Sequence, residues 1–83
     1  IEIFLSNYEN IIPLKLNNNT SEEADSFENK IKMMLSKVGL KKTVISIDED
    51  IKRDYQSGNI KLFHGWIVSD VEASILELKQ KYV

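Results

Sequence analysis

Gly58-Asn59-Ile60-Lys61-Leu62-Phe63-His64-Gly65-Trp66-Ile67-Val68-Ser69-Asp70-Val71-Glu72-Ala73-Ser74-Ile75-Leu76-Glu77-Leu78-Lys79-Gln80-Lys81-Tyr82 joins the least polar strand-like run of the chain to its best-capped helix. Read as one strand, residues 60–68 place Ile60, Leu62, His64, Trp66 and Val68 on one face and Lys61, Phe63, Gly65 and Ile67 on the other. Both faces turn apolar toward the end, which predicts a central strand buried on both sides, with Trp66 filling the space that Gly65 leaves open. Ser69 and Glu72 form a capping box, in which the hydroxyl accepts from the amide three residues on and the carboxylate reaches back. The strand is therefore expected to stop at Ser69. In the helix that follows, Val71, Ile75, Leu78 and Tyr82 recur at spacings of four, three and four, giving one apolar stripe aimed at the core.

Upstream of Gly58, Ile1-Glu2-Ile3-Phe4-Leu5 alternates like a strand, and Ile11-Ile12-Pro13-Leu14-Lys15-Leu16 reads as a second strand whose proline favours an edge. Thr20 and Glu23 repeat the capping-box pattern. Ala24, Phe27, Ile31, Met34, Leu35 and Val38 then share a helical face that Gly39 is expected to end. Thr43-Val44-Ile45-Ser46-Ile47 is β-branched and predicts a third strand, and residues 48–55 a short helix closed by Gly58. The expected fold is thus α+β, a single small domain over residues 1–83. It is a four-stranded mixed sheet with two longer helices on one face and one short helix, in the order ββαβαβα.

Eighty-three residues without cysteine must be held by packed aliphatic and aromatic side chains. A net charge of -2 supplies no general field for nucleic acid or anionic lipid, and no apolar run is long enough to insert in a membrane. The chain begins on Ile1 without an initiator methionine, as expected of a processed or excised piece.

Groups able to do chemistry are few. His64 is the one histidine, and a hydrogen-bonded structural role is favoured over a metal ligand or general base. Ser69 has a sufficient role as a helix cap and no nucleophile elbow around it. Asp48, Glu49, Asp50 and Asp54 have the composition of a calcium loop but not its spacing, and Ile51-Lys52-Arg53 falls where ligands are needed. The three glycines are isolated, so no phosphate loop exists, and the lysines at 30, 37, 41 and 42 lack interleaved aromatics. No catalytic set, metal set or cofactor site is assigned.

The residues Ile51-x-x-Asp54-Tyr55-x-x-Gly58-x-Ile60, followed by Gly65-Trp66-Ile67-Val68-Ser69-x-x-Glu72-Ala73, resemble the end of small exported bacterial proteins often preceded by a twin-arginine type leader. Asp70 and Val71 stand here where those proteins carry a basic residue and threonine, and no arginine or cysteine follows in the helix. The resemblance implies an exported bacterial setting, periplasmic or secreted, and transfers no catalytic residue. The expected function is a small non-enzymatic domain that binds a protein partner, with His64, Trp66, Phe63 and Tyr8 as candidate contact residues and no nucleic acid or membrane insertion. The alternative is a ligand-binding protein or enzyme in which His64 and Trp66 line a pocket.

Overall fold

The computed structural model describes residues 1–8, 21–63 and 65–82, and it is mostly helical. Helix α1 (Glu2–Leu5) runs into a 3₁₀ turn at Ser6–Tyr8. Helix α2 (Glu22–Ser57) follows, then strands β1 (Ile60–Phe63) and β2 (Trp66–Ser69), and helix α3 (Asp70–Lys81). The described strands form one two-stranded antiparallel sheet. The four-stranded mixed sheet is therefore overturned, and three of its expected strands are replaced or recast; the fourth, at residues 11–16, lies outside the described residues.

Each correction has a local cause. Ile1, Leu5 and Tyr8 recur at four and three, and the Leu5 amide donates to the Ile1 carbonyl at 3.0 Å, so the helical period outlasts the short alternation of residues 1–5. Phe4, Leu5 and Tyr8 are all buried by it. Thr43 and Ile47 are buried one helical turn apart, with Val44 and Ile51 packed against the same core, while Asp48, Glu49, Lys52 and Arg53 do not join that face. Tertiary burial thus decides against the β preference of a β-branched run. The expected short helix at 48–55 is the end of α2. Thr20 also lies outside the described residues; the cap of α2 is Ser21, whose hydroxyl accepts from the Ala24 amide at 3.2 Å.

Gly39 does break the helix, but it does not end it. At φ 85° and ψ 173° it bends α2 into two limbs, 22–38 and 40–57, and the Thr43 hydroxyl donates to its carbonyl at 2.7 Å. The limbs meet: Ile31 and Ile47 share the buried core, and Lys30 pairs with Asp50 at 3.3 Å. Helix α3 packs on α2, inserting Ile75 and Leu78 between Phe27, Ile31 and Ile47, as its stripe predicts. Phe4 completes the cluster from α1, with ring centroids 5.3 Å from Tyr8 and 6.4 Å from Phe27.

A carboxylate is buried at the far end of this interface. Glu28 is 4% exposed and accepts from Lys81 at 2.8 Å and from the Tyr82 hydroxyl, with Lys32 at 3.8 Å. Burial pushes its carboxyl up, but hydrogen bonds from Lys81 and Tyr82 and the charges of Lys81 and Lys32 outweigh burial and hold it below its usual range. The last turn of α3 is thereby clasped to the first limb of α2.

Two outcomes follow. No neighbouring atom lies within 4 Å of a Cβ added at Gly39, so Gly39→Ala meets a purely conformational penalty, expected to lower unfolding free energy by about 1–3 kcal/mol in urea titration. An unchanged midpoint would show that the bend is not required. A folded-state carboxyl held low stabilises the protein above its ordinary value of 4.5, and that stability is lost as pH falls through the lower folded value. Lys81→Met is therefore expected to flatten the loss of stability on acidification; a slope equal to the parent's would refute the clasp.

Candidate functional site

The chain between α2 and α3 is almost all hairpin, and its base is fixed by a polar corner. Gly58 takes the left-handed conformation at φ 77° and closes α2 as its place in the sequence predicts, and the Asn59 amide donates to the Asp54 carbonyl at 2.8 Å. Across the corner, α3 begins with three amides that need acceptors. Asp70 donates to the Asn59 carbonyl at 3.1 Å, Val71 to the Asp54 carboxylate at 3.1 Å, and Glu72 to the Ser69 hydroxyl at 3.0 Å. The Glu72 carboxylate returns to the Ser69 amide at 3.1 Å, so the expected capping box is present in full. It also accepts from the Tyr55 hydroxyl, and that bond, with burial behind it, raises the phenol's pKa. Lys61 adds contacts to Glu23 and Asp70, each at 3.7 Å. With its leading amides occupied, the N-terminus of α3 has no donors left for an anion.

Above this base the hairpin leaves the protein. Pairing Ile60 with Ser69, Lys61 with Val68, Leu62 with Ile67 and Phe63 with Trp66 puts Ile60, Leu62 and Ile67 on one face and Phe63, Val68 and Trp66 on the other. Gly65, at φ 87°, supplies the positive φ in the connection. Ser69 at the base is fully buried, yet Leu62 is 72%, Trp66 70% and Ile67 65% exposed. The central, doubly buried strand expected for residues 60–68 is thus corrected to a projecting hairpin. Trp66 faces the same way as Phe63, and it is not an interior packing partner for Gly65.

Of the four candidate contact residues, the structure brings Phe63 and Trp66 together as cross-strand partners. His64 lies outside the described residues. Tyr8 belongs to the core: it is buried, donates to Asp48 at 3.0 Å, and its carbonyl accepts from Lys79. Burial first, then the Asp48 carboxylate, raise the Tyr8 phenol's pKa. Leu62 and Ile67 were not singled out by sequence reasoning. The available signal was a glycine-containing break between two short apolar runs, which is also a hairpin signature.

The acidic group disperses. Asp48 holds Tyr8, Asp50 holds Lys30 and Arg53 at 3.3 Å each, and Asp54 caps α3. Among the described residues no three histidine, cysteine or carboxylate side chains gather as a metal site, and no described helix is long and apolar enough to cross a membrane. The chain matches no known protein family, and neither a curated protein nor a solved structure is significantly similar to it.

Asp54→Ala removes an ionised acceptor from the Val71 amide and is expected to cost about 1–2 kcal/mol in chemical denaturation. Glu49→Ala, at an exposed neighbour, is the control. Equal effects at the two positions would remove Asp54 from its capping role.

Proposed function

We propose that the protein is a small non-enzymatic binding domain whose contact element is the hairpin of β1 and β2, and that it acts by holding a protein partner. The observation that carries this reading is the exposure of Leu62, Trp66 and Ile67 on a hairpin whose base is tied down by Ser69, Asp54 and Lys61. A small domain normally keeps its tryptophan inside, where the ring contributes most to stability. Here the core is complete without it, built from Phe4, Phe27, Ile31, Ile47, Ile75 and Leu78. Aromatic and aliphatic side chains held in solvent on a fixed element are the material from which interface anchors are made. The balanced charge favours an apolar contact over an electrostatic one. The alternative, a pocket lined by His64 and Trp66, asks for a sheltered indole, and Trp66 is exposed.

The chain has a single tryptophan, so its fluorescence reports this surface alone. A photo-crosslinking amino acid in place of Trp66 is expected to trap a protein in the cells that make this chain, whereas the same group at Glu49 is not. Leu62→Asp is expected to abolish trapping while circular dichroism and the unfolding midpoint stay at parental values. Trapping that is equal at both sites, or indifferent to Leu62→Asp, would rule out the hairpin as the contact element.

A further inference from the structure

We infer that the partner held by this hairpin is a second copy of the same chain, joined hairpin to hairpin about a two-fold axis; the inference rests on the binding role proposed above. Its first ground is charge. Among the eight residues of β1 and β2 only Lys61 is charged, and it is answered within its own molecule by Glu23 and Asp70. Two identical surfaces can therefore meet without bringing an unpaired charge against its like, which is the usual obstacle to an isologous contact. An apolar surface of this kind offers an oppositely charged partner nothing to hold.

The second ground is area. Ile60, at 43% exposure, extends the Leu62–Ile67 pair toward the base of the hairpin, so three aliphatic side chains adjoin on one face. The sheet is only two strands wide, and the Trp66 ring, rooted on the opposite face beside Ile67, stands at the margin of the same surface. Counting roughly 200 Å² for the ring and roughly 100 Å² for each aliphatic side chain gives about 500 Å² per copy. Two copies together reach about 1,000 Å², the lower bound for a specific interface. The contact is sufficient for a reversible dimer and small for a permanent one.

The third ground is symmetry of shape. A two-stranded hairpin that stands clear of its own helices can lie across its twin without the two helical bodies competing for the same space. Ser69 and Lys61, which hold the base, remain outside the contact and keep their own partners.

Sedimentation velocity of the purified chain from low to high micromolar concentration is expected to show a shift from monomer to dimer, with a matching blue shift of Trp66 emission. Ile67→Lys and, independently, Leu62→Lys place like charges across the axis and are expected to weaken dimerisation at least tenfold, with helical content unchanged. A dimer that survives both substitutions, or a chain that stays monomeric throughout, overturns the inference. The crosslinker at position 66 separates this failure from that of the binding role. An adduct of two copies supports both, an adduct with a different protein retains the binding role and removes the second copy, and no adduct removes both.

Discussion

Helix ends impose the constraint on which this structure depends, because each leaves main-chain groups that must be satisfied before the chain can be buried nearby. Asp54 meets that demand at two ends at once. Its carbonyl accepts from Asn59 to close α2, and its carboxylate accepts from Val71 to open α3. Since both bonds come from one residue, the end of one helix and the start of the next are held at a fixed separation. Everything between them must leave and return through that corner. A short antiparallel hairpin is the simplest path that does so, and β1 and β2 take it.

The corner also accounts for much of the residue pattern that resembles small exported bacterial proteins. Asp54, Tyr55, Gly58, Ser69 and Glu72 all act in it, as main-chain turn, cap or carboxylate partner. Ile51 packs against the core and Ala73 is buried. Trp66 and Ile67 are the members of the pattern that the interior does not use. The division places architecture at the base of the hairpin and unspent apolar surface above it.

Local signals in the sequence were read correctly wherever one residue's chemistry determines one geometry. The Ser69 and Glu72 box, the left-handed Gly58, the stripe of α3 and the face formed by Ala24, Phe27 and Ile31 are all observed. What failed was the inference from short apolar runs. Five residues such as Thr43 to Ile47 fit a strand by composition and a helix by spacing, and only the longer register through Ile51 separates the two. Residues 1–5 pose the same ambiguity, resolved by Tyr8. Gly39 was recognised as a break, but a break can separate two limbs of one helical hairpin as readily as a helix from a strand. The candidate site was half legible: Phe63 and Trp66 were named, whereas their neighbours Leu62 and Ile67 became conspicuous only once the run folded back at Gly65.

Ser69 ends β2 and caps α3, so no linking residue separates the sheet from the helix, and only Gly58 and Asn59 separate it from α2. The projecting tip consequently has little freedom to swing relative to the helical body. Whatever meets it encounters a surface already set in orientation, and association forfeits correspondingly little conformational entropy in ordering it. Such preorganisation lets a contact of modest extent remain specific, with rigidity supplying part of what sheer size would otherwise have to provide.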